Sequence, residues 1–139
     1  MVERGGRSVS VTVKDLTVDA LKTIIGNHVV LDSTINTDEA QHGKAIGEKF
    51  AAHSSVNHSE KEYVRHEGET TVTTNTVEGF FGVFERGMFG TYQHCAEHHL
   101  QAYLNEFDFR YSNRVALDVD DMERTVRAVR GAAGKRLQL

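Results

Sequence analysis

Asn75, Glu78 and Arg86 are the residues of this chain best placed, by type and spacing, to do chemistry. At about 100° per residue they share one polar helical face with Gly82 and Glu85, while Val77, Phe81, Phe84 and Met88 fall on the opposite side. Such a helix presents a carboxylate from an apolar body, with an amide and a guanidinium beside it. Carboxylates suit hard divalent cations and, through them, phosphate chemistry, so partner acids are the next thing to seek. Asp38, followed by Glu39, is poised at the C-terminal end of a predicted strand. Arg124, Arg127 and Arg130 run along one side of the last predicted helix, with Met122, Val126 and Val129 on the other, and Lys135 and Arg136 follow at once. A phosphate backbone would be attracted there; the plainer reading is a solvated arginine face on an amphipathic helix. His94, Cys95, Glu97, His98 and His99 crowd one predicted helical turn, where His94 and His98 could chelate a transition metal. The string is not His-Glu-x-x-His, and surface histidines are the plainer reading.

The elements that must position these groups alternate strands and helices, with no linker and no internal repeat. Residues 7 to 14 place Val9, Val11 and Val13 on one face and predict a half-buried strand, with a hairpin signal at Gly5-Gly6. Residues 19 to 26 carry Leu21, Ile24 and Ile25 at helical spacing and end at Gly26-Asn27, a C-cap pattern. Residues 28 to 31 and 34 to 37 read as a strand or strand pair leading into Asp38. A short helix is predicted over 41 to 51, a small strand over 54 to 57, and a polar loop over 60 to 74. Gly87 and Gly90 interrupt the Glu78 helix. A further helix over 91 to 109 then bears Leu100, Tyr103, Leu104 and Phe107 as a core stripe.

Composition bounds the class. The 139 residues suit one domain, 39% hydrophobic and 26% charged residues are ordinary for a globular chain, and the net charge of −4 argues against a dedicated DNA-binding module. No apolar run reaches the length of a membrane span, and Met-Val-Glu-Arg-Gly-Gly lacks the features of a signal peptide, so a cytoplasmic chain is expected. The single Cys95 fits a reducing compartment. No Walker loop, Gly-x-Gly-x-x-Gly fingerprint or Gly-x-Ser-x-Gly string occurs, so nucleotide cofactors and nucleophilic hydrolysis are not supported.

Several motifs, taken in order, resemble a known family. Asp38, then Glu78 within Asn-Thr-Val-Glu-Gly-Phe-Phe, then Arg-Gly-Met-Phe-Gly-Thr-Tyr-Gln-His-Cys, then Glu106-Phe-Asp-Phe-Arg110-Tyr111 look like bacterial insertion-sequence transposases of the DDE class, ISXO-like branch. Val56-Asn-His58-Ser59 and Tyr63-Val-Arg65 belong to the same likeness, which spans nearly the whole chain. The resemblance implies an α/β, ribonuclease-H-like mixed sheet flanked by helices, in which three acidic positions hold two magnesium ions for in-line phosphodiester displacement. By motif match Asp38 is the second acid and Glu78 the third, with Asn75 as the alternative for that third position. DNA ends of an insertion sequence are the implied substrate, and Arg86 and Arg110, with Arg124, Arg127, Arg130, Lys135 and Arg136, are the candidate phosphate contacts.

Two departures from the family pattern shape the expectation. The first catalytic Asp stands in an Asp-Glu string followed by paired glycines, and no such string occurs here; the family's Lys on the acid-bearing helix is replaced by Glu85. In the implied sheet order, 3-2-1-4-5, residues 7 to 14 match the third strand and residues 1 to 4 the tail of the second. The chain is therefore expected to be a single partial domain, 1 to 139, lacking the first strand and most of the second. Loss of a central strand leaves backbone groups unpaired and divides the sheet. The expected outcomes are a rearranged sheet, self-association through open edges, or marginal folding, with catalysis absent in the isolated chain; a bypass through Asp32 or Glu39 has no support. The alternative function is a non-catalytic regulator that binds DNA or full-length transposase.

Overall fold

A computed structural model describes residues 1–38, 46, 49–68 and 70–135. Of the predicted helix over 41–51, residues 41–45 and 47–48 lie outside them, as do Glu39 and Arg136. The chain is mixed α/β. Helix α1 (Val18–His28) is followed by strands β1 (Thr34–Thr37), β2 (Ala52–Ser55), β3 (Val64–Glu67) and β4 (Thr70–Thr73), then helices α2 (Asn75–Gly87), α3 (Leu100–Ser112) and α4 (Asp121–Ala132). None of the described helices is long and apolar enough to cross a membrane.

The described strands form two separate two-stranded sheets. β1 and β2 run parallel, Ile35 opposite His53 and Thr37 opposite Ser55, and parallel neighbours require a crossover of a dozen or so residues such as the segment between them. β3 and β4 form an antiparallel hairpin, Arg65 opposite Val72, turned at Gly68 with φ +61°. That hairpin corrects the expected loop over 60–74. The stretch Val-Arg-His-Glu has no apolar alternation to announce a strand, and only the glycine, which tolerates left-handed backbone, marked the turn.

The predicted strand over 7–14 is reduced to one antiparallel bridge, Val2 with Ser8, around a turn at Gly5 (φ +70°). The physical reason lies in α3. Its side chains replace a neighbouring strand: Ser8 N–H donates to Ser112 Oγ (3.0 Å), Ser10 N–H to Asp108 Oδ2 (2.6 Å) and Thr12 N–H to Gln101 Oε1 (2.8 Å). Gln101 Nε2 returns a bond to the Ser10 carbonyl at 2.8 Å. The edge that would have laddered with a strand is thus covered by a helix.

Helix α1 is capped by Thr17, whose hydroxyl accepts from Ala20 N–H at 3.2 Å, and it continues past Gly26 to His28. The expected strand over 28–31 is therefore absent, and Val30 and Leu31 are exposed. Helix α2 starts and ends within its predicted limits, but its core face is rotated: Phe80 is buried and Phe81 is 44% exposed. Phe80 meets Tyr111 of α3 edge-on at 5.3 Å and Phe84 meets Phe107 at 5.1 Å. At Gly87 a Cβ would overlap the Phe107 ring, so the α2–α3 contact depends on that glycine. The helix then passes into a π turn (Met88–Tyr92) and breaks at Gln93 (φ +57°), so α3 begins at Leu100 and not near 91.

Candidate functional site

Glu78 lies in the first turn of α2, where the positive end of the helix dipole favours a carboxylate. Thr74, immediately before the helix, does not cap it. Its hydroxyl instead donates to Glu78 Oε1 at 2.6 Å, while Thr73 Oγ1 accepts the Asn75 N–H at 3.2 Å. His58 completes a triangle, its Nε2 being 3.2 Å from Glu78 Oε1 and 3.1 Å from Thr74 Oγ1. Because the Thr74 proton is committed to Glu78, the tautomer that satisfies both contacts carries its proton on Nε2.

His58 is itself held by its loop. It opens a 3-10 turn (His58–Glu60) capped by Asn57 Oδ1, which accepts from Glu60 N–H at 3.3 Å, and its ring stacks obliquely on Tyr63 at 5.4 Å. Glu62 braces the turn, accepting from Asn57 N–H at 2.9 Å and from Arg65 at 2.8 Å. The Arg65 bond first, and the Asn57 N–H second, hold the Glu62 carboxyl below its ordinary range.

Asp38 stands at the exposed end of β1. The Thr37 hydroxyl donates to the Asp38 carbonyl at 3.0 Å and lies 2.9 Å from His53 Nε2. Thr37 and Val77, each immediately before one of the two acids, line a common groove. Asn75 is exposed at the head of α2. Among the described residues no group of three or more His, Cys, Asp or Glu side chains is arranged to hold a metal ion. Of the half-exposed Glu78 carboxylate, Oε1 is the oxygen that meets both Thr74 and His58. His94 and His98 do not share a helical turn either: the chain breaks at Gln93, and His98 belongs to the 3-10 turn Glu97–His99.

The cationic candidates divide into two groups. Arg124 donates to the Asn113 carbonyl (2.8 Å) and pairs with Asp121 (3.0 Å); Arg127 donates to Asn113 Oδ1 (2.8 Å) and pairs with Glu123. These two arginines fasten α4 to the end of α3, and the opposite face of α4, with Met122, Val126 and Val129, is exposed. Arg110 pairs with Glu106 at 2.7 Å, and Glu106 also accepts the Tyr92 hydroxyl at 2.9 Å, a bond that raises the tyrosine's pKa above its ordinary value. Arg86, Arg130 and Lys135 are exposed. Sequence reasoning missed Thr74, whose position four before Glu78 was the available signal, and Asp108, which stands within the Glu106-Phe-Asp-Phe-Arg110 string but was given no role there.

The chain is thus a mixed α/β domain with Asp38 just after the parallel strand β1 and Glu78 in the first turn of α2. Over residues 1–112 the chain matches the ISXO2-like transposase domain, and it belongs to that family. Membership places its function in DNA transposition, with insertion-sequence DNA as the partner and divalent metal as the usual aid of the DDE class. No curated protein and no solved structure matches the chain.

Proposed function

We propose that the chain folds as a ribonuclease-H-like transposase domain in which Asp38 and Glu78 occupy two of three acidic positions, and that these residues alone are catalytically silent. The observation that carries this reading is the capture of Glu78 by Thr74 and His58 at the head of α2. Thr74 and His58 orient that carboxylate, and no group of three acids is gathered with it among the described residues, whereas a pair of shared ions needs several carboxylates to anchor it. Support for the fold reading comes from the parallel β1–β2 pair, from the divided sheet, and from Thr37 and Val77 meeting at one groove. Asn75, exposed on the same helical face, is the alternative third ligand. Arg86, Arg130 and Lys135 are assigned to DNA phosphates, with Arg110 as a weaker contact because Glu106 already neutralises it; Arg136 extends the same basic end.

The second reading, a regulator that binds full-length transposase or another copy of itself, is favoured by the exposed apolar face of α4. Calorimetric titration with magnesium tests the first reading. No saturable site tighter than about 1 mM is expected. A tighter site that disappears in Glu78→Gln would overturn the claim of an incomplete centre. Inhibition of an intact family transposase, without nicking, would favour the regulator.

A further inference from the structure

Helix α4 lies beyond the residues matched by the transposase family and is fastened to the rest of the chain by Arg124 and Arg127. Met122 (73% exposed), Val126 and Val129 (65% exposed) stand on its opposite face, and Ala133 at the C-cap continues the row. Their spacing of four, three and four residues is that of a coiled-coil seam. The two flanks of the seam differ. On one stand Glu123 and Arg130, seven residues apart; on the other stand Thr125 and Ala132, small and uncharged. Arg130 is exposed and makes no ion pair among the described residues. Glu123 meets Arg127 through Oε1, so its other oxygen is open to a cation across the seam. Charge also divides the helix along its length, with Asp120, Asp121 and Glu123 at its start and Arg127 and Arg130 toward its end.

We infer that α4 is a self-association surface, on which the α4 of a second copy lies antiparallel. In an antiparallel pair each flank of the seam meets the same flank of the other helix, and one register satisfies every position at once. Val126 packs on Val129 of the second copy and Met122 on its Ala133. Glu123 then faces Arg130 of that copy, and two-fold symmetry makes the pair twice. Thr125 faces Ala132 on the other flank, where small side chains let the helices close. A parallel pair would set Glu123 and Arg130 against Thr125 and Ala132, leaving both charges without a partner, and would align two helix dipoles that the antiparallel pair opposes. Duplex DNA fits this face poorly, because its centre is apolar and Glu123 stands beside the one arginine at its edge. The inference narrows the regulator reading above to one partner and rests on it only in taking the α4 face as a docking surface. Twelve helical residues give a seam about 18 Å long, which is short for an interface, so the association is a weak one.

The test is sedimentation equilibrium of the full chain at concentrations up to about 1 mM. A reversible monomer–dimer equilibrium is expected, with a Kd of about 10–100 µM. Val129→Lys, at an exposed position, should weaken it about tenfold or more. Glu123→Arg and Arg130→Glu should each weaken it comparably, because like charges then face each other at both ends of the seam. An equal mixture of these two variants restores both opposite-charge pairs and should dimerise about as tightly as the native chain. The apolar and the charge variants probe different parts of the seam, so either arm decides should the other fail to fold. A chain that stays monomeric at the highest concentration, a dimer indifferent to Val129→Lys, or a mixture no tighter than its components would overturn the proposal. A monomeric chain that still inhibits an intact family transposase would overturn it and leave the regulator reading standing. The expected dimer without such inhibition would support the proposal and remove that reading.

Discussion

Asp108→Ala is expected to free the N-terminal segment from α3 and to lower the free energy of unfolding by about 2–4 kcal/mol. One carboxylate accepts three hydrogen bonds from that segment: Ser8 Oγ at 2.7 Å and Ser10 Oγ at 3.0 Å on one oxygen, and Ser10 N–H at 2.6 Å on the other. Bonds to a charged acceptor are individually worth about 1.5–3 kcal/mol, and three sharing one group do not add. The loss is compounded because Ser8 is buried, so its hydroxyl keeps a desolvation cost without its partner. Asp108→Asn, which retains one acceptor oxygen, should recover part of the loss. Denaturant titration gives the magnitude, and amide exchange at Ser8 and Ser10 shows whether the segment detaches. A loss below about 0.5 kcal/mol with unchanged exchange would show that the segment is held by other contacts.

Phe80→Ala should be the most damaging single core change, costing about 3–5 kcal/mol. Phe80 is 3% exposed and is the buried residue through which α2 meets Tyr111 of α3 edge-on, with Phe81 edge-on to it at 5.6 Å. Small domains keep only about 5–15 kcal/mol in total. The core is modest for 139 residues, with Val56, Val72, Phe80, Leu104, Val119 and Ile46 as its buried apolar members among the described residues. Cooperative unfolding at 25 °C should therefore be severely weakened or lost. Phe81→Ala, one position along and exposed, should cost less than about 1 kcal/mol. Equal losses in the two variants would mean that the helix face had been assigned wrongly.

The contrast between these phenylalanines shows how far the sequence was legible. Apolar periodicity placed α2 within its limits because a 3.6-residue repeat survives small errors of phase. It could not choose between adjacent aromatics, since only the partners Tyr111 and Phe107 fix the rotation. Val9, Val11 and Val13 announced a strand over 7–14, yet the N–H groups of the alternating residues Ser10, Thr12 and Ser8 donate to Asp108, Gln101 and Ser112, about a hundred residues away, which no local pattern encodes. The β3–β4 hairpin was hidden for the opposite reason, its residues being too polar to alternate. In α4 the spacing separated arginine from valine correctly, but the inward side is the arginine side, because Arg124 and Arg127 reach the backbone and side chain of Asn113. The ISXO2-like family was readable because its motifs recur in order, whereas the bonds from Thr74 and His58 to Glu78 exist only in the folded chain.

The claim that this transposase domain is silent by itself is tested most directly by strand transfer. The purified chain is incubated with insertion-sequence end DNA and a supercoiled target plasmid in magnesium or manganese, and nicked and joined products are resolved on a gel. The account predicts no product above the metal-only control, for the native chain and for Glu78→Gln alike. Metal-dependent nicking or joining by the native chain, abolished by Glu78→Gln, would contradict it.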